Sequence, residues 1–178
     1  MISPFNPSIT QNMSRHRLEE LISHLNLEPH PEGGFFRESH RSPERVARAS
    51  GGAGRSAATA IYYLLAGGDR STWHRIDSEE MWHFYEGDPL HVHVLLPQGE
   101  LQTLCLGNAL EHEGAHFQAL VPAGAWFAAE CTVREGYSLV GCTVAPGFEF
   151  DAFEIAQADQ LLEDWSQHKE LIERLARK

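Results

Sequence analysis

Between residues 57 and 153 the chain is cut by glycine and proline turns into short apolar or alternating runs, and this cadence constrains the fold more than any other feature. The runs cover residues 59–65, 80–85, 90–96, 101–106, 117–121, 126–129 and 138–144. Successive side chains of a strand point to opposite faces, so each alternating run can bury one face. Several short strands at this spacing predict an all-β sandwich or barrel. A single domain is expected from 178 residues, enough to remove roughly 70% of the unfolded surface from water.

The ends of the chain read differently. Residues 1–13, with Pro4 and Pro7, are expected to be a flexible tail, which leaves residues 14–178 as the domain. Ser14 is placed to cap a helix whose Leu18, Leu21, Ile22 and Leu25 fall on one stripe. From about Ala158 the pattern turns helical again, with Leu161, Trp165, Ile172 and Leu175 aligned to pack on the outside of the barrel or on a partner. Residues 42–56, where Arg45, Arg48 and Arg55 stand among Ala and Gly, read as a long loop.

Residues 68–87 hold the chemistry, in the pattern G-x5-H-x-I-x3-E-x6-G. Strand alternation puts His74 and Ile76 on one face and Glu80, Trp82 and Phe84 on another, with Asp77-Ser78 as the turn between. A hairpin with both inner faces on one cavity brings His74 and Glu80 together against an aromatic wall. Such a pair serves as metal ligands or as an acid/base couple. Trp126 and Phe127 add candidate wall residues. Gln118, if it faces inward, is a buried amide that a ligand can satisfy. Tyr62, Tyr63 and Tyr137 are candidate acids, with no spacing to choose among them. His83 falls on the parity opposite Glu80 and is expected outside the cavity, while His91 and His93 share a face that points to solvent as readily as inward. The His112-x3-His116 pair lies in a loop, without the helix that makes such spacing a metal clip.

The segment around His74 and Glu80 resembles the first signature of the cupin superfamily, G-x5-H-x-H-x3,4-E-x6-G, with Ile76 in place of the second histidine. Pro122-Ala-Gly124 resembles the core of the second signature, but Phe127 takes its histidine position and Cys131 its asparagine position. His30-Pro-Glu32-Gly-Gly34-Phe-Phe-Arg37-Glu, the run Ala60-Ile-Tyr62-Tyr63-Leu-Leu and residues 136–150 narrow the resemblance to the branch catalogued as domain of unknown function 985. The resemblance implies a double-stranded β-helix, the cupin jelly roll, with an N-terminal and a C-terminal helix. It also implies frequent pairing as a homodimer, and comparison with sugar epimerases or small-molecule binders, without an agreed reaction.

With only His74 and Glu80 kept at the motif positions, no cofactor is expected, and a divalent metal held by His74, Glu80 and waters would be weak. The reading is a metal-free cavity for a small polar ligand. Such a pocket resembles that of sugar-nucleotide epimerases, a resemblance that implies His74 as the base and Glu80 as its partner, in an epimerase or isomerase reaction on a sugar-like or nucleotide-linked substrate. Tyr62, Trp82, Phe84, Gln118, Trp126 and Phe127 are the expected ligand contacts. A non-catalytic binding or sensing protein and a metal-dependent oxygenase or isomerase are the alternatives. In the Pro-Glu-Gly-Gly motif the adjacent glycines imply a sharp turn or a close approach. Arg37 and Glu38 after it are expected on an edge strand, in an intersubunit salt bridge or with Arg37 on a ligand.

Charge narrows the partners. With 14 basic against 25 acidic residues the formal balance is −11, which argues against nucleic-acid and membrane-surface roles. Cys105, Cys131 and Cys142 are odd in number and far apart, so free, largely buried thiols are expected. The first residues lack the charged start and apolar core of a signal peptide, and no apolar run approaches the roughly 20 residues needed to span a bilayer. A cytoplasmic protein follows as the expectation.

Overall fold

The computed structural model describes residues 7–48, 51 and 54–177. Helix α1 (Pro7–Leu25) leads into strands β1 (Glu28–Pro29), β2 (Phe35–Arg41), β3 (Arg45–Val46), β4 (Arg55–Ser56), β5 (Thr59–Ala66), β6 (Arg70–Arg75) and β7 (Glu79–Gly87). Then come β8 (Leu90–Leu95), β9 (Leu101–Leu106), β10 (Gln118–Val121), β11 (Trp126–Cys131), β12 (Tyr137–Ala145) and β13 (Glu154–Ile155). Helices α2 (Ala158–Asp164) and α3 (Lys169–Leu175) close the described chain.

The strands form a six-stranded sheet in the order β1-β2-β5-β12-β7-β10 facing a five-stranded sheet in the order β13-β6-β11-β8-β9. This is the double-stranded β-helix that the turn cadence and the motif resemblance imply. Between the sheets lie Tyr63, Leu65, Trp82, Val92, Val94, Leu106, Phe127 and Val140, all fully or nearly fully buried. Fully burying an apolar side chain of this size is worth about 1.5–3 kcal/mol, so this layer is the main source of cohesion.

Both sheets are also covered on the outside. On the six-stranded sheet α1 packs Leu18, Leu21, Ile22 and Leu25 against Leu64, Tyr137 and Leu139. On the five-stranded sheet Leu161, Ile172 and Leu175 cover Trp73, Leu95, Trp126 and Ala128. The single C-terminal helix expected from the sequence is therefore two short helices. They are separated at Trp165, whose indole Nε1 donates to the Leu96 carbonyl at 2.8 Å.

Two expectations about irregular segments change. Residues 1–6 of the expected tail lie outside the described residues, but residues 7–13 are helical, because a proline in a first helical turn forfeits no intrahelical hydrogen bond. The region read as a loop contains the β3–β4 ribbon. From it Arg48 and Arg55 converge on Asp77, with Arg55 Nη1 at 2.6 Å from the carboxylate.

The expected hairpin around Asp77-Ser78 is also corrected: β6 and β7 belong to different sheets, so the turn carries the chain across the barrel. His74 and Glu80 consequently enter the interior from facing walls. In addition, the β6–β11 register passes from His74 opposite Phe127 to Ser71 opposite Ala129, a β-bulge. The extra residue lets Ser71 and His74, three apart, share the inner face that strict alternation would deny one of them.

Candidate functional site

The cavity between the sheets is lined at its inner end by His30, Glu32, Tyr63, His74, Glu80, Trp82 and Cys142. Nearer the surface the lining continues through Phe36, Glu38, Arg41, Phe148, Phe150 and Phe153. His74 is held by its strand and by a hydrogen bond from Nδ1 to the Thr72 carbonyl at 2.7 Å. A carbonyl only accepts, so Nδ1 carries the proton and Nε2 is left with the lone pair. Nε2 faces Glu32 Oε2 at 3.0 Å. One proton therefore lies between imidazole and carboxyl, and the pair is a dyad.

Glu32 is the carboxyl that contacts His74. The other oxygen of Glu32 accepts from Ser71 Oγ at 2.8 Å, and the Thr72 backbone N–H donates to the Glu32 carbonyl at 2.9 Å. The loop that presents it is shaped by glycine. Gly33 has φ of +113°, and a Cβ there would sit 2.1 Å from the Arg70 carbonyl oxygen. That is the close approach which the adjacent glycines imply. A Gly33→Ala substitution is expected to cost about 2–5 kcal/mol of stability, as backbone strain plus overpacking. Chemical denaturation measures it, and a loss under about 1 kcal/mol would show that the loop moves aside easily.

Burial sets the protonation states. Desolvation pushes the Glu80 carboxyl up to about 8, reinforced by the nearby Glu32 and only partly opposed by the Cys142 thiol and the Trp82 indole. Glu32 is likewise raised by desolvation, with His30 and Ser71 opposing. Desolvation lowers His74 to about 4 and lowers His30 as well. At neutral pH the interior holds a protonated Glu80, neutral imidazoles and a Glu32–His74 dyad sharing one proton, close to no net charge. The buried Trp82 Nε1–H completes no hydrogen bond, which leaves a donor beside Glu80.

The expected site residues divide. His74, Glu80 and Trp82 line the cavity, and Phe127 packs against His74 with ring centroids 4.0 Å apart. Phe84 belongs to the core beside it without lining the cavity. Tyr62 is on the outer face with α1 and Tyr85, and its neighbour Tyr63 is the tyrosine inside. Trp126 faces α2 and α3, with the Arg75 guanidinium 4.4 Å from its ring centroid. Gln118 is exposed and bonds His83 at 3.1 Å, outside the barrel, where His83 was expected. Tyr137 donates to Glu86 at 2.6 Å on the outer surface.

His93 is buried on the outer face of its sheet, bonded to Thr103 and Glu130, rather than open to solvent. Arg37 reaches the Leu25 carbonyl at 3.0 Å, and Glu38 pairs with Arg41 within the chain at the cavity mouth. The three cysteines are free thiols, one buried and two partly so.

The residues do not fit a cupin metal. Ile76 and Phe127 occupy two ligand positions with side chains that cannot donate, and both His74 ring nitrogens are engaged, by Thr72 and by Glu32. Among the described residues no group of three or more His, Cys, Asp or Glu is arranged to hold an ion.

Two facing antiparallel sheets closed into a barrel, with polar groups gathered at its inner end, define a cupin. The chain belongs to the family described as Cupin superfamily (DUF985), which matches residues 19–156. It is 37% identical to a hypothetical protein from Leishmania major, over 90% of this chain and 98% of that one, with a TM-score of 0.83. Protein SO0799 from Shewanella oneidensis is 40% identical, over 89% and 96% of the two chains, with a TM-score of 0.80. The uncharacterized protein YML079W of Saccharomyces cerevisiae is 28% identical over 146 residues, 75% of this chain and 72% of its own length. An oxalate decarboxylase of Bacillus subtilis, at 14% identity, 86% and 38% coverage and a TM-score of 0.51, shares the fold. No described helix is long and apolar enough to cross a membrane.

Proposed function

We propose that the barrel cavity binds a small, uncharged polar molecule and moves a proton off and onto it, an isomerase- or epimerase-type reaction on a sugar-like substrate. One observation carries the reading: the buried Glu80 carboxyl on β7 and the Glu32–His74 dyad line one cavity from facing walls. In this reaction the Glu32 carboxyl of the dyad accepts a proton from a carbon next to a carbonyl as its own proton passes to His74 Nε2, while Glu80 donates one from the other side. The dyad gains one positive charge as Glu80 gains one negative, so the dry interior keeps its net charge. Arg41 at the mouth is already paired with Glu38 and Glu149, which favours an uncharged substrate over an anion. The rings of Phe36, Phe148, Phe150 and Phe153 supply apolar walls, as ligand pockets do.

The test is solvent exchange. A panel of aldoses, ketoses and deoxy-keto sugars is incubated with the protein in heavy water, and loss of carbon-bound hydrogen is followed by proton NMR. At least one member is expected to exchange, with Glu80→Gln slowing it about 10²–10⁴-fold. A sugar that binds without exchanging would sink the catalytic reading and leave a binding protein.

A further inference from the structure

The loop bearing Glu32 is a partition. His30 and Glu32 line the barrel cavity, and they also border an open depression on the outer surface formed with Gly33, Gly34, Asp69, Arg70, Thr72 and Arg177. Both side chains are almost wholly shielded, at 7% exposure each. Within the partition Glu32 Oε2 lies 3.0 Å from His74 Nε2 and 3.5 Å from His30 Nδ1. The Glu32 backbone N–H points at His30 Nδ1 from 3.4 Å, so that nitrogen carries the lone pair and Nε2 the proton. Three titratable groups thus run in a line from the reacting end of the cavity to its wall.

The His30 ring packs edge-on against Phe36 of the cavity lining, with centroids 4.5 Å apart, while the same residue borders the outer depression. We propose that Glu32 and His30 form a proton conduit that connects His74 to solvent through the cavity wall, at the outer depression. Its purpose rests on the proton-transfer reading; its existence does not. After a turnover the dyad holds one proton too many and Glu80 one too few. The Glu32 O–H bond breaks as the proton passes to His30 Nδ1, and the resulting imidazolium yields one proton to water. Glu80 recovers a proton from water, and no oxidant or other reactant is consumed. The groups facing this line from inside are Glu80, Tyr63 and Cys142, with the Tyr63 hydroxyl donating to the Gly33 carbonyl at 2.8 Å. From outside they are Asp69, Arg70 and Arg177. Desolvation by burial and the facing His74 disfavour a lingering imidazolium, so His30 passes a proton on instead of storing it.

The experiment needs no substrate. A rapid pH jump is applied to the resting protein, and protonation of the buried carboxyl is followed by time-resolved infrared absorption, the band being assigned with Glu32→Gln. Proton uptake is expected to slow about tenfold or more in His30→Ala and in the bulkier His30→Phe. Added imidazole is expected to restore the rate in His30→Ala, where it has room, and not in His30→Phe. Thermal unfolding of both variants separates slow uptake from a disordered loop. An unchanged rate in a folded variant, or a slowed rate that imidazole does not restore in His30→Ala, would overturn the conduit. If the conduit fails while sugars still exchange in heavy water, the catalytic reading stands without it; an intact conduit with no sugar exchange has the opposite meaning.

Discussion

Between pH 6.5 and about 8 the protein is expected to lose about 2 kcal/mol of stability, and most of that loss should disappear in a Glu80→Gln variant. Glu80 titrates at about 8 in the folded chain, against 4.5 for the unperturbed group. Between those values the folded state keeps a proton that the unfolded state has released, so stability falls as pH rises through the window. His74 acts in the other direction. Its folded value of about 4 lies below the ordinary 6.5, so in that range the unfolded chain binds the extra proton and stability rises with pH. From about pH 4.5 to 6.5 the slopes oppose each other and give a plateau; above 6.5 the fall from Glu80 remains. Glu32, also raised by burial, contributes with the same sign as Glu80. Urea unfolding across this range measures it, and a full decline kept in Glu80→Gln would place the titrating group elsewhere.

A Trp82→Ala chain is expected to be about 3–5 kcal/mol less stable than wild type, the range for truncating a buried tryptophan. The indole is 1% exposed and meets Tyr63 and Phe127 edge to face, with centroids 5.8 Å and 6.3 Å away. It also borders the cavity, so truncation enlarges the ligand space while removing contacts between the two sheets. Thermal or denaturant unfolding reads the effect. A loss under about 1 kcal/mol would mean that the barrel collapses onto the vacated volume, and that its width is not set by this side chain.

How much was legible follows strand by strand. Seven of the observed strands coincide with the apolar runs to within a few residues at their ends, because glycine and proline turns punctuate them. Facing was legible only where one side of a strand is wet. On β7 the pattern put Glu80 and Trp82 together correctly, since Met81 and His83 opposite them are less buried. On β5 and β11 both faces are covered, so alternation could not tell Tyr62 from Tyr63 or Trp126 from Phe127. Gln118 was misplaced by its partner in parity, Leu120, an apolar residue that is 44% exposed.

The carboxyl that touches His74 was the hardest to find. Glu32 precedes β6 by a long stretch of chain, comes from a loop, and meets Ser71 and His74 only because a bulge turns both inward. No local spacing encodes that meeting. The one available signal was the pair of glycines after Glu32, which announced a close backbone approach without naming what was approached.

The last turn of α3 has a consequence for the interior. Its Ile172, Leu175 and Ala176 carbonyls accept hydrogen bonds from the Trp73 indole, the Thr72 hydroxyl and the Arg70 guanidinium, at 3.1, 2.8 and 3.1 Å. The Ile172 carbonyl also accepts from the Ala176 backbone N–H at 2.9 Å, and all three side-chain donors belong to the strand that carries His74. Helix α3 is thus a splint on the bulged strand, holding its side chains from behind while Glu32 grips it from the front. Removing the last turn of α3 would free one side of that grip, and the damage would be felt at the imidazole before it was felt by the barrel.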